Sequence, residues 1–321
     1  MIKKTLKLLL AVTFLSFIFS GCDNFEGEQT VPSYIRVKGF KLVADSDLNF
    51  TFPQDDGFLT SDICDVWVRV TDNNEQKEIG AYSLTKDGDL IIPVLAKGKR
   101  KVELRPGVKF NGMNATREAY RYYTTYIDTL ELKEGEITDV DIMEVSYNSL
   151  TNIARRITFE ETYNPFENIS TTNPDLPCYL SIVGDGKAAY GDRCGVFYSS
   201  SSSDNYRFIT KDSVSWDGKT SPMIMEIDYH ANIPFEIGLY GRQMQESNPV
   251  YISCLRIKPN HNPSYADNDK RNWQKMYVIL GKVWGQLKYN DFKIWFQPVN
   301  TDNLSDGFVY IDNIKVIHDP Q

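Results

Sequence analysis

Histidine is scarce: His230, His261 and His318 are the only three in 321 residues. With the last of them in the tail, no Ser/His/Asp set for nucleophilic catalysis is evident. The five cysteines form no CxxC and no Cys/His cluster, which argues against a zinc site. Neither a P-loop nor a GxGxxG is present, so the phosphate-cradling nucleotide folds drop out. Basic residues are outnumbered, 35 Lys and Arg against 43 Asp and Glu, leaving a formal charge of −8. That is the wrong sign for nucleic acid or an anionic bilayer surface. No apolar pattern at helical spacing extends beyond about two turns. No stretch after residue 21 is long and apolar enough to cross a membrane as a helix.

Aromatics are plentiful, with 19 Tyr and 17 Phe, and Thr, Val and Ile are frequent, a composition that favours strands. From Tyr34 onward, "YIRVKGFKLVAD", "DVWVRVTD", "KVELRP", "YRYYTTYIDTLEL" and "ITDVDIMEV" place apolar residues at every second position. Turn chemistry such as "TDNNEQKE" and "LTKDGDL" separates the runs, which is the pattern of short strands in a sandwich. Residues 33–147 therefore read as an immunoglobulin-like or fibronectin-like β-sandwich. One face of the strand expected at Tyr120–Tyr126 should meet the core and the other should show aromatic or Arg-rich surface. A linker is expected at 148–156. Beyond it, about eight further strands between 157 and 321 suit a jelly-roll sandwich. The fold class predicted is all-β, with two sandwich domains.

The amino-terminal segment gives an address. Lys3, Lys4 and Lys7 precede an apolar run from Leu8 to Phe19, too short to span a bilayer and shaped like a secretory signal, residues 1–21. "FSGC" then resembles a lipobox, with Phe19 where Leu is usual. That resemblance implies acylation of Cys22 and a stable anchor, since several buried chains contribute about 0.8 kcal/mol per CH₂. Asp23, Glu26 and Glu28 follow it. They resemble the surface-export signal of Bacteroidota-type lipoproteins, and they equally suit a solvated tether over 22–32. Cleavage removes three lysines and no acids, taking the formal charge from −8 to −11. An exported chain permits disulfides; Cys178 with Cys194 is the preferred pair, and buried free thiols are the alternative.

Two stretches resemble known families. Gly80, Tyr82, Leu84, Pro93, Val94, Leu95, Gly98, Pro106, Gly107, Asn111, Gly112, Thr116, Arg117 and Tyr120 match a pattern of uncharacterised Bacteroidota lipoproteins, which lends no activity. "ITFEE" with a closing "VYIDNIKVI" resembles the first and last strands of carbohydrate-binding jelly-roll modules. That likeness implies pairing of those strands, and it implies Asp312 near Glu160 or Glu161, as a candidate structural calcium site or as a hydrogen-bonded corner without metal. No other cofactor is expected.

"MEIDYHA" puts Glu226, Asp228 and His230 on one strand face. It is similar to the Glu-Ile-Asp-x-Glu motif of laminarinase-type glycosidases, but His230 stands where the acid/base carboxylate belongs, so a non-enzymatic polar or sugar-contacting face is expected. Trp273 in the loop 258–273, with Tyr240 and Arg242 after "EIGLYG", is the expected stacking platform for a sugar ring. Together these features predict a lipid-anchored outer-membrane, cell-surface protein that binds polysaccharide and no nucleic acid. The alternatives are a structural or adhesive component binding other envelope proteins, in a secretion or motility assembly, and a jelly-roll glycosidase.

Overall fold

Alternation carries into the computed structural model, which describes residues 31–44, 59–72, 74–85, 87–170, 180–202, 206–215, 222–242, 248–261, 271–280 and 291–320. The signal, Cys22, Cys178, Trp216, Trp284 and the side chain of Arg242 lie outside the described residues. Within them every regular element is a strand apart from a 3₁₀ turn at Asn114–Thr116. The protein is all-β.

The first half comprises β1 (Ser33–Val37), β2 (Phe40–Leu42), β3 (Asp65–Asp72), β4 (Glu75–Ser83), β5 (Leu90–Val94), β6 (Gly98–Lys109), β7 (Arg117–Ala119), β8 (Tyr126–Leu132), β9 (Ile137–Val140) and β10 (Met143–Val145). Sheet order is β4-β3-β6-β7 with β8 also on β6, beside a three-stranded β5-β1-β9 and a two-stranded β10-β2. Every second residue of β1 and β3 points inward, so Ile35 and Val37 meet Val66, Val68 and Val70 in one apolar core.

The second half comprises β11 (Asn152–Ile157), β12 (Phe166–Ser170), β13 (Ser181–Val183), β14 (Cys194–Ser199), β15 (Tyr206–Thr210), β16 (Val214–Ser215), β17 (Ile224–Ala231), β18 (Phe235–Arg242), β19 (Pro249–Ile257), β20 (Gln274–Ile279), β21 (Asp291–Pro298) and β22 (Gly307–His318). One sheet runs β13-β14-β22-β17-β20 with β11 on β22, and the other β12-β15-β21-β18-β19 with β16 on β21. Met225 and Ile227 of the first meet Phe235, Ile237, Phe292 and Phe296 of the second in a shared core, which makes this half a β-sandwich.

Two expectations change here. The stretch 148–156 is not a plain linker, because Asn152–Ile157 pairs antiparallel with the end of β22. Its short "NIARRI" text supplies the edge that β22 would otherwise leave open. The tyrosine run is not an alternating strand either. The chain turns at Arg121 and Tyr122, and Tyr120, Tyr122 and Tyr123 are all buried. The turn breaks the two-residue period, so consecutive rings insert together into a third core shared by both halves with Phe110, Tyr147, Ile224, Tyr277 and Ile317. Asn111, at φ +54°, sits in the predicted Asn-Gly turn and docks it on β20: its N–H donates to the Tyr277 carbonyl at 2.7 Å and its Oδ1 accepts from Ile279 N at 3.0 Å.

Candidate functional site

Alternation along β17 sends Met225, Ile227 and Tyr229 into the sandwich core and turns Glu226, Asp228 and His230 to the opposite face. The first half covers most of that face. Glu226 is 0% exposed and Asp228 2%. The Tyr120 hydroxyl donates to Glu226 Oε1 and the Tyr147 hydroxyl to Oε2, each at 2.7 Å. Lys275 Nζ lies 3.5 Å from both Glu226 and Asp228, and Lys315 Nζ is 3.8 Å from Glu226. Thr60 donates to Asp228 at 2.5 Å and accepts from Lys275 at 2.9 Å, while Asn313 Nδ2 reaches Asp228 at 2.9 Å.

These groups are buried charges compensated by one another and by hydroxyls contributed across the interface. Burial, then the neighbouring Lys275, brings the Lys315 ammonium down to about 7. Burial, then Glu226, holds the Tyr120 and Tyr147 phenols well above their ordinary value, so they act as donors. A glycosidase nucleophile must meet a sugar carbon, and Glu226 meets only protein. For the same reason Glu226 and Asp228 offer no surface to a ligand; they join the halves.

His230 lies further along β17, 7% exposed, with His261, Phe308 and Tyr310 rings at 5.3, 5.4 and 6.2 Å. Burial, then His261, lowers its pKa to about 4, so it is neutral at pH 7. Trp273 is half-buried, its indole N–H donating to the Lys187 carbonyl at 2.9 Å. Beside it Arg271 covers the Tyr310 ring at 3.8 Å and pairs with Asp185 at 2.5 Å.

Asp312 and Glu160 each accept from backbone amides of the loop 189–193. Asp312 Oδ2 accepts from Ala189 and Tyr190 at 2.9 and 3.0 Å, and Glu160 Oε1 from Asp192 and Arg193 at 3.1 and 2.8 Å. Burial raises the Asp312 carboxyl to about 8. Among the described residues no group of three or more His, Cys, Asp or Glu is placed to hold a metal ion. Cys64, Cys194 and Cys254 are free thiols, and Cys178, the other half of the expected pair, lies outside the described residues.

Tyr240 is on the other sheet, away from His230 and Trp273. There the inward residues of β18 and β21 (Phe235, Ile237, Leu239; Phe292, Ile294, Phe296) leave Tyr240, Lys293, Trp295 and Gln297 facing outward. Tyr240 lies opposite Tyr251 of β19, ring centroids 4.5 Å apart and tilted 38°. The Arg207 guanidinium from β15 lies 4.4 Å from the Tyr251 ring and 5.0 Å from Trp295. Its Nε donates to Gln297 Oε1 at 2.9 Å. Trp295 lies flat because its neighbour is Gly238: a Cβ there would sit 2.2 Å from the indole. Its own N–H donates to the Leu239 carbonyl at 3.0 Å. Lys293 reaches across to Glu167 at 2.8 Å. This face combines half-buried rings, a fixed planar cation and side-chain amides, which suits a ligand with both apolar faces and hydroxyls. Of its members the sequence named only Tyr240. Arg207, Tyr251 and Gln297 carried a signal nonetheless, since "FKIWFQP", "YRFIT" and "VYISC" have a period-two phase fixed by their core residues.

No family model matches the chain and no curated protein matches it. Solved structures with a similar course include the family 11 carbohydrate-binding module from Clostridium thermocellum in complex with a mixed-linked tetrasaccharide, at 12% identity over 52% of this chain and 96% of that one, TM-score 0.34. The N-terminal tandem CBM22 domain of Paenibacillus barcinonensis Xyn10C gives 11% identity over 79% and 73%, TM-score 0.33. A cleaved adhesin domain of Lys-gingipain from Porphyromonas gingivalis gives 11% identity over 53% and 99%, TM-score 0.36. At these values no ligand or activity passes from them to this chain.

Proposed function

We propose that this is a non-catalytic glycan-binding protein, its binding surface the outward face of β15, β21, β18 and β19. The carrying observation is the juxtaposition of Tyr240 and Tyr251 with the Arg207 guanidinium, which lies 4.4 Å from the Tyr251 ring and 5.0 Å from Trp295. Pyranose rings stack their C–H faces on aromatic rings, and their hydroxyls bond to guanidinium and amide groups such as Arg207 and Gln297. The lipobox-like "FSGC" supports an extension of the proposal, that Cys22 carries acyl chains and holds this face outside the outer membrane.

Affinity electrophoresis through gels cast with a polysaccharide panel tests it. At least one polymer should retard the wild-type protein, and Tyr251→Ala should weaken that retardation about tenfold, the loss of one well-placed contact. A panel that retards nothing, or a Tyr251→Ala protein that binds as wild type, contradicts it.

A protein-binding role in an envelope assembly has one observation in its favour. The first half displays Ile91 and Ile137 on the outer face of the β5-β1-β9 sheet, with Leu95 just beyond β5, all more than 40% exposed. A stoichiometric partner recovered from membranes and lost in Ile91→Asp with Ile137→Asp would favour that role.

A further inference from the structure

Arg207 differs from five other half-buried arginines. Arg69, Arg100, Arg105, Arg155 and Arg271 each rest on a carboxylate at 2.5–3.0 Å. Among the described residues Arg207 has no carboxylate partner, and its hydrogen bond there is from Nε to the neutral amide of Gln297. The carboxylates nearest the face are already matched, Glu167 by Lys293 at 2.8 Å and Glu236 by Arg256 at 2.6 Å. Two rings and Gln297 surround the guanidinium, and among the described residues its terminal nitrogens have no hydrogen-bond partner. A planar fork held still and left unneutralised is the group that takes a carboxylate or sulfate through two parallel hydrogen bonds.

We infer that the ligand is an acidic glycan, whose carboxylate or sulfate seats on Arg207 while its ring lies against Tyr240 and Tyr251. This rests on the glycan-binding reading of the same face and adds the ligand's charge. The chain's formal charge of −8 repels polyanions at long range, so the preference is made at contact and is lost with Arg207. The preorganised guanidinium loses little freedom on binding, which favours Arg over Lys at this position.

The test uses the full chain with four polymers: polygalacturonate for the carboxylate, neutral galactan as its uncharged counterpart, dextran sulfate for the sulfate, and dextran. Polyacrylate serves as a polyanion without sugar rings. Titration calorimetry with wild type, Arg207→Gln and Arg207→Lys gives the acidic-to-neutral affinity ratio. The expected ratio is at least tenfold for one acidic polymer over its neutral counterpart, near one in Arg207→Gln and intermediate in Arg207→Lys. Which acidic polymer binds identifies carboxylate or sulfate. Equal binding of neutral and acidic polymers by wild type overturns the inference and leaves the glycan reading standing. So does a ratio unchanged in Arg207→Gln. Polyacrylate binding as tightly as the acidic glycans, or no binding of any polymer, overturns both. Should Arg207→Gln melt early, the wild-type ratio and Arg207→Lys decide by the same criteria.

Discussion

Glu226 shows what a single residue does here. Its two oxygens take hydroxyl donors from Tyr120 and Tyr147, residues of the other half, and two lysine ammoniums stand 3.5 and 3.8 Å away. Each donor matters because a buried carboxylate that loses one cannot recover it from water. Tyr147→Phe should therefore lower unfolding stability by about 1–3 kcal/mol, the cost of leaving a buried acceptor short of its partner. Tyr163→Phe, on a residue 52% exposed, should stay within about 0.5 kcal/mol. Urea denaturation of the two variants checks this, and equal small effects would show that the hydroxyl to Glu226 contributes nothing. The cysteines make the opposite case: burial raises the Cys64 thiol to about 11 and the Cys194 and Cys254 thiols to about 12, so they behave as small apolar groups.

At the scale of elements, Gly238 decides whether β18 and β21 can present the Arg207 face. A side chain at 238 would meet the Ile252 carbonyl and the Trp295 ring at 2.2 Å, with backbone on one side and a packed indole on the other. Gly238→Ala should destabilise by about 1–3 kcal/mol or more and tilt Trp295 out from under Arg207. Glycan binding should weaken with it. A variant that melts and binds as wild type would mean that Trp295 does not need its seat. The strands around this face were legible in the text because period two survives in them: "FEIGLYGR" and "DFKIWFQP" assign inward and outward residues without coordinates. Alternation also put Glu226, Asp228 and His230 on one side of β17, as expected, but it does not say what covers that side. The cover comes from Thr60, Tyr120 and Tyr147, which lie 79 to 168 residues away along the chain from their partners. Trp295 is a further instance. It is 1% exposed, as a core tryptophan would be, yet it lies on the outer face under Arg207, and only its phase against Ile294 and Phe296 distinguishes the two.

Over the whole molecule, the two halves share an apolar core and an enclosed charge network. Neither half satisfies its own buried groups: Lys275 and Glu226 would face water without Thr60, Tyr120 and Tyr147, and the tyrosine cluster would lose Tyr277. Calorimetry of the full chain should show one cooperative unfolding transition, and two well-separated transitions would mean that the interface adds little. The Arg207 face lies on the other sheet of the second half, and among the described residues the first half does not cover it. Amide hydrogen exchange, with and without the polysaccharide that retards the protein most, locates that contact directly. Slowed exchange confined to β15, β18, β19 and β21 is the predicted result; protection in the first half or on β14, β17 and β22, with those four strands unchanged, would contradict it.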